Sequence, residues 1–302
     1  DELYSQINYQ DQPVRVSPLK YASVIKWFTN MREGIPAYIK IDMATQNTEL
    51  VKLSEGMKYT TSDHFNRNIY RHLRFNYPTY IFSDLSFEID EDGVPYWICP
   101  VKKYNIGLFG GTTIGRVVLC NAITGETKDY AVEDVPQWVD RVYSADLLVE
   151  LYNYHGTLKH GFFNSVLGQK DCLNTTDGYN YLAIDDDVWV YTGVTSITGD
   201  QSNVGFVLMN QRTMETKFYE IEGATERSAM SSAEGQVQNL HYMATFPLLL
   251  NISGEPTYFI ALKDDAGLVK KYAMVNVQKY QIVAIGDTVS ECEDSYTNLM
   301  YK

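Results

Sequence analysis

Short apolar runs bounded by turn residues dominate the chain. SFEI, PYWICPV, VVLCN, NYLAI, VWVYTGV, VGFVLMN, PLLLNI, PTYFIAL and KKYAMVNV are each four to eight residues long, rich in β-branched and aromatic residues. Gly, Pro, Asp or Asn closes most of them, which is the pattern of strands joined by tight turns. Helical spacing replaces this pattern in five places. They are YASVIKWFTNM, HFNRNIYRHLRF, QWVDRVYSADLLVELYNY, ATERSAMSSAEGQVQNLHYM and SECEDSYTNLM.

The strand pattern repeats. VLCNAITGETKDYAVED from Val118 aligns with VLMNQRTMETKFYEIEG from Val207 without a gap. Asn121 falls on Asn210, Thr124 on Thr213, Glu126-Thr127-Lys128 on Glu215-Thr216-Lys217, and Tyr130 on Tyr219. Each copy predicts a hairpin: a strand, a turn and a returning strand. Gly125 suits a turn with positive φ. Met214 stands in its place, which predicts a turn of another type, or a strained one. YAMVNV and YQIVAIG form a looser copy, Tyr272 to Gly286. Ala37–Asp42 and Thr48–Leu53 form a terse first one.

Gly-x-Pro precedes three strands, in GIPAYIKI from Gly34, GVPYWICP from Gly93 and GEPTYFIA from Gly254. Glycine supplies unusual φ and proline fixes its own, so these read as turns that launch strands. Asp185-Asp186-Asp187 takes this place in the third copy. The first copy shows no lead-in strand, only the helix YASVIKWFTNM, as in an atypical terminal repeat. Thr61, Ser62 or Asp63 is positioned to cap the helix over 64–75, and Pro136 to open one over 137–154. Thr288 and Glu291 have capping-box spacing.

These elements predict an α+β fold of repeated small units, each an antiparallel sheet of three to four strands packed with one helix. The expected units are 1–80 with an N-terminal helix, 81–175 with a connecting arm, 176–244 and 245–302. The segment from His155 to Gly178 has no clear period and reads as a linker or a docking arm.

Charge narrows the partners. The formal net charge of -13 argues against nucleic acid or anionic lipid as a main partner. The one basic stretch, NRNIYRHLR, reads as a solvated helix face. Cys99, Cys120, Cys172 and Cys292 lack zinc-knuckle or C-x-x-C spacing. The apolar run FPLLLNI, Phe246 to Ile252, is far short of the roughly 20 residues of a membrane span. The chain begins DELYSQ, so it is expected to be a piece of a longer protein whose anchor lies elsewhere.

No motif supplies chemistry. GLFGGTTIG, Gly107 to Gly115, has no Lys before its Thr pair and no helix after it, so a hairpin loop is expected. The five histidines lack ligand spacing, although His155 and His160 lie close in sequence. Asp185 to Asp187 alternate faces in an extended chain and converge poorly on a cation. Glu88, Asp90, Glu91 and Asp92 lie at or beside a hairpin turn, where exposure needs no function. No catalytic, cofactor or metal residue is assigned. The 24 tyrosines fit half-buried sheet surfaces. Tyr96, Trp97, Trp189, Tyr191, Tyr258 and Phe259 are the candidates for a binding surface. Alternation assigns at least half of them to the core and leaves one of an adjacent pair available.

The segments VVLCNAITGETKDYAVEDVPQWVDRV and FVLMNQRTMETKFYEIEGATERSA resemble PepSY modules, small α+β units that occur in tandem in secreted or membrane-attached bacterial proteins. The resemblance covers about half of the chain. It implies a regulatory or inhibitory module without a shared catalytic set. The remainder is similar in general character to the outer part of an uncharacterised Gram-positive protein. The expected function is therefore non-catalytic: binding, scaffolding or regulation in the bacterial cell envelope, with a protein or peptide partner and no cofactor. The expected location is extracytoplasmic, with membrane attachment only through a segment absent from this chain. The alternatives are a hydrolase of a wall or surface polymer and a peptidase regulator that binds an extended peptide.

Overall fold

A computed structural model describes residues 4–43, 47–106, 110–197 and 202–301. Within them the chain forms four antiparallel sheets, each associated with a helix, in an α+β fold. The first sheet has the order β1 (Ser5–Tyr9), β2 (Gln12–Pro18), β3 (Ile35–Asp42), β4 (Thr48–Met57). The second has β5 (Ser86–Ile89), β6 (Pro95–Ile106), β7 (Gly110–Asn121), β8 (Thr127–Ala131). The third runs β10 (Asn180–Ile184), β11 (Asp187–Ser196), β12 (Ser202–Asn210), β13 (Thr216–Tyr219). Within it β9 (Leu173–Thr175) pairs with β11, and β14 (Gly223–Ala224) with β12. In the fourth, β16 (Leu248–Ile252), β17 (Glu255–Lys263), β18 (Val269–Asn276) and β19 (Val283–Gly286) repeat the meander, and β15 (Met243–Ala244) also pairs with β17. The helices are α1 (Val24–Asn30), α2 (Ile69–Asn76), α3 (Ala145–Leu158), α4 (Glu226–Gln236) and α5 (Val289–Met300).

The chain divides into two compact units. One comprises Asp1–Leu148, Leu182–Trp189 and Asn210–Glu215, the other Val149–Tyr181, Val190–Met209 and Thr216–Lys302. The first unit's core joins its two sheets: Val14, Val16, Tyr38 and Met57 meet Phe87, Trp97, Cys99, Val118 and Cys120, with Ile69 and Leu73 of α2. In the second unit, α5 seats Cys292 and Tyr296 against Met274 and Ala284.

The lead-in hairpin occurs in all four sheets. Gln10 and Asp11 turn β1 into β2 at φ +52° and +61°, Asp185 and Asp186 turn β10 into β11 at +49° and +67°, and Ser253 and Gly254 turn β16 into β17 at +55° and +86°. Paired positive φ values match the twist of the strands they join. The first sheet is therefore a full meander, contrary to the atypical copy expected from its sequence. Its peculiarity is α1, inserted between β2 and β3. Gly34 follows that helix, donating its N–H to Asn30 O at 3.0 Å. It launches a third strand, whereas Gly93 and Gly254 launch second strands.

A second recurrence joins helix to sheet. Ala122, Gln211 and Val277 each follow the asparagine that ends a strand. They donate their N–H groups to Pro95 O, Val188 O and Pro256 O at 3.0, 3.1 and 3.0 Å. Their own carbonyls accept from the chain just ahead of a helix. Ala122 O takes Lys58 and Tyr59 N–H at 2.9 Å each, Gln211 O takes Val142 and Tyr143 at 3.1 and 2.8 Å, and Val277 O takes Ala224 at 2.8 Å. A hydroxyl residue comes next each time. Thr60 Oγ1, Ser144 Oγ and Thr225 Oγ1 accept from the N–H three residues on, at 3.1, 3.3 and 3.2 Å. Each of these helices bonds to the sheet that follows it. His72 meets Gly125 O at 2.8 Å, Asn153 Oδ1 accepts Thr175 N–H at 2.8 Å, and Glu234 Oε1 accepts Ala244 N–H at 2.9 Å.

Two helix boundaries depart from expectation. The one predicted over 137–154 begins at Ala145. The N–H groups of Asp140 and Arg141 go to the Glu88 carboxylate, and those of Val142 and Tyr143 to Gln211 O. Four consecutive donors spent outward leave none for a helical ladder there. The helix predicted over 64–75 is capped by Asn68, whose Oδ1 accepts Arg71 N–H at 3.3 Å. Asp63 is instead buried, held by Trp27 Nε1 at 2.9 Å and Thr60 Oγ1 at 2.7 Å. At α5 the hydroxyl half of the expected capping box forms, with Glu291 N–H on Thr288 Oγ1 at 3.2 Å, while the Glu291 carboxylate reaches past the cap to accept Asp287 N–H, also at 3.2 Å.

Candidate functional site: an aromatic cleft on the second sheet

Antiparallel pairing sets the faces of the second sheet. Glu88 lies opposite Tyr96, Tyr96 opposite Asn121, and Leu119 opposite Lys128. Residues directly opposite share a face. The chain after β8 folds back over this face and lays Trp138 against Tyr96, with ring centroids 5.1 Å apart and planes at 46°. Tyr96, Trp138, Tyr130, Pro136 and Leu119 wall a cavity of about 150 Å³, whose polar lining is Asp90, Asn121, Glu126 and Lys128. Glu126 and Lys128 are exposed at its rim. Asp90 and Asn121 are committed to turns. Asp90 Oδ1 accepts Asp92 and Val94 N–H at 3.1 and 2.8 Å, and Asn121 Oδ1 accepts Ile123 and Thr124 N–H at 2.9 and 3.0 Å.

This arrangement is suited to recognition. Two tilted aromatic rings present flat apolar area to a guest, and a carboxylate and an ammonium at the rim meet its polar end. The volume holds one side chain or one sugar ring, well below the roughly 300 Å³ at which drug-sized ligand sites begin.

Of the six aromatic candidates, the structure puts one in this cleft. Trp97, Trp189, Tyr191 and Tyr258 are buried, while Tyr96 and Phe259 are partly exposed. All six lie on the second strand of a meander, but not in one register. The carbonyls of Pro95, Val188 and Pro256 receive the same bond, which aligns Tyr96 with Trp189 and Thr257, and Trp97 with Val190 and Tyr258. Phe259 stacks on Tyr272 at 5.6 Å and packs against the core beneath α5. Trp138 and Tyr130 were not among the candidates. Tyr130 was legible as the aromatic shared with Tyr219. Trp138 was hidden inside the overextended helix.

The acidic residues also sort themselves. Glu88 is not at an exposed turn but fully buried, accepting Asp140 and Arg141 N–H at 2.9 and 3.0 Å and Ser86 Oγ at 3.3 Å. Burial pushes its carboxyl up to about 7. Asp140 is buried too, and its Oδ2 accepts Asn8 N–H at 2.7 Å. Burial, and then the neighbouring Glu88 charge, hold it well above the usual carboxylate range. In the second unit Glu226 is buried beside Asn203, whose Nδ2 also bonds Tyr258 OH at 3.0 Å, and burial raises its carboxyl. These carboxyls fasten chain to chain.

Asp185 to Asp187 diverge. Asp187 forms a bidentate pair with Arg212 at 2.7 and 2.8 Å and accepts from Asn210 Nδ2 at 2.8 Å, while Asp186 accepts from Gln137 at 3.1 Å. Among the described residues no group of three or more His, Cys, Asp or Glu side chains is placed to hold a metal ion. His160 lies 3.2 Å from Asp171. The four cysteines are buried free thiols. GLFGGTTIG belongs to the β6–β7 hairpin, where Ile106 pairs with Gly110, and Gly107 to Phe109 lie outside the described residues.

No family model matches the chain, and no curated protein matches it. A mutant of the Synechocystis apocarotenoid oxygenase is a similar solved structure, at 7% identity and a TM-score of 0.19, covering 95% of this chain and 53% of that one. The chain thus spans about half the length of that protein, and at that score the likeness carries no argument. No helix among the described residues is long and apolar enough to cross a membrane.

Proposed function

We propose that the chain is a non-catalytic binding protein of the bacterial cell envelope, built from PepSY-like modules and acting as a scaffold or regulator. The observation that carries this reading is the division of labour among its polar groups. The carboxyls that burial perturbs hold the chain to itself, and the open aromatic cleft offers stacking surface and two rim charges. An extended peptide is the favoured guest. β8 is the outer strand of its sheet, so a peptide paired along it would carry alternate side chains toward Lys128 and Tyr130.

Binding is tested by titrating peptide libraries and, in parallel, wall-derived oligosaccharides while following Trp fluorescence. Tyr96→Ala and Trp138→Phe are expected to weaken peptide binding by roughly tenfold or more, as loss of a central aromatic anchor does. Saturable binding of oligosaccharide but not peptide would replace the peptide reading, and turnover of any polymer would overturn the non-catalytic one.

A further inference from the structure

Between α3 and β9 the chain makes a small closed excursion whose polarity is inverted. Phe162, Phe163, Val166 and Leu167 are 68%, 78%, 60% and 81% exposed. They lie at i, i+1, i+4 and i+5, one side of a single helical turn that includes Asn164–Gly168. The polar group faces inward. Asn164 Nδ2 donates to Lys170 O at 2.9 Å, its Oδ1 accepts Lys170 N–H at 3.2 Å, and its carbonyl accepts Gln169 N–H at 2.6 Å. Buried Cys172 closes the base, its Sγ 3.3 Å from Thr157 O. The excursion satisfies much of its own backbone and shows solvent its apolar side chains. An apolar medium asks for both properties.

Charge indicates which medium. The chain carries a net charge of -13, yet Leu158 to Lys170 contains no acidic residue and two lysines, Lys159 and Lys170, both exposed and flanking the tip. The next acid, Asp171, lies 3.2 Å from His160. We propose that this tip inserts into the interface of an anionic lipid bilayer, with Phe162, Phe163, Val166 and Leu167 among the upper acyl chains and Lys159 and Lys170 at the headgroups. A second copy of the tip is a poorer occupant, because symmetric pairing would bring the lysines of both copies together. The acidic remainder of the chain is repelled by the same surface, which confines contact to the tip. Membrane contact is then made by the chain's own residues.

Flotation with vesicles of phosphatidylcholine, alone or with about one third phosphatidylserine, tests the proposal. The wild-type chain is expected to float with the anionic vesicles, and the double variant Phe162→Ser/Phe163→Ser to partition roughly tenfold less or lower. Lys159→Glu/Lys170→Glu is expected to lose the preference for phosphatidylserine. All four sites are exposed, so an unchanged urea midpoint shows that the variants fold. Phe163→Trp is expected to add emission that shifts to the blue with anionic vesicles and is quenched by brominated acyl chains. Three results would overturn the proposal: a wild-type chain that stays with the soluble fraction, a Phe162→Ser/Phe163→Ser variant that floats undiminished, or self-association in the absence of lipid that this variant abolishes.

Discussion

Gly125 and Met214 hold the same place in the same turn. Their N–H groups donate to Asn121 O at 2.9 Å and Asn210 O at 3.0 Å, and their φ angles are +77° and +64°. The methionine has not changed the turn. It accepts a left-handed backbone that costs a side chain about 1–2 kcal/mol. Met214→Gly is therefore expected to stabilise the fold by about 0.5–1 kcal/mol after the extra chain entropy of glycine is deducted. Urea denaturation reads the difference. The opposite change is not its mirror image, because a Cβ at Gly125 would run into the ring of Tyr59. Gly125→Ala is expected to cost about 2 kcal/mol or more.

Three asparagines make similar turns but have different neighbours. Asn121, Asn210 and Asn276 each accept two backbone N–H groups through Oδ1, at 2.7 to 3.0 Å. Alanine at any of them is expected to cost about 1–2 kcal/mol. Aspartate separates them. Asn210 Nδ2 donates to Asp187, and Asn276 Nδ2 donates to Tyr296 OH at 3.0 Å. Asn121→Asp is expected to be close to neutral. Asn276→Asp exchanges a donor for an acceptor that the tyrosine hydroxyl must rotate to meet. Asn210→Asp sets a second carboxylate against Asp187 and is expected to be the most damaging. Parallel thermal melts of the three variants rank them, and equal losses would sink this account.

Glu88 makes stability depend on pH. Its folded value of about 7 lies above the ordinary 4.5, so the folded chain holds the proton more tightly than the unfolded chain. Relative stability is fully present below about 4.5, declines as pH rises toward 7, and is level above. Asp140, also raised, adds in the same direction. In Glu88→Gln that decline is expected to shrink. The variant should lose ground at pH 5, where its amide cannot accept as many backbone N–H bonds, and recover part of it at pH 8. Urea midpoints from pH 5 to 8 measure the difference, and parallel wild-type and variant curves would remove Glu88 from the explanation.

Asp187 is tied to Arg212, and this bears on the acidic turn. Arg212→Ala is expected to destabilise by about 1–3 kcal/mol, because it strips a bidentate partner from a mostly buried carboxylate. Arg212→Lys is expected to recover little, since an ammonium cannot form both bonds in the same geometry. Added calcium is expected to leave the melting temperature of the wild-type chain unchanged. A calcium-dependent rise that disappears in Asp186→Asn would refute this assignment.

Much of the architecture was written locally. The Asn121 and Asn210 turns, the hydroxyl cap at Thr288, and the alternation that buries Trp97 beside a half-exposed Tyr96 all depend on residues a few positions apart. Such interactions survive in the bare sequence as spacing. The repeated meander with its helices could be read for the same reason, even where Gly34 suggested a false equivalence between a helix exit and a hairpin.

What tertiary structure alone decided were the destinations of polar groups that bond across long separations. Glu88 sits 52 and 53 residues from the amides it accepts, and no local pattern distinguishes it from Asp90, which remains in its turn. Its capture of Asp140 and Arg141 unmade a helix that the sequence spelled out, and this freed Trp138 to meet Tyr96. Local propensity is worth tenths of a kcal/mol per residue, whereas a buried carboxylate without its donors costs several. Where the two conflicted, the carboxylate prevailed, and the cleft formed there.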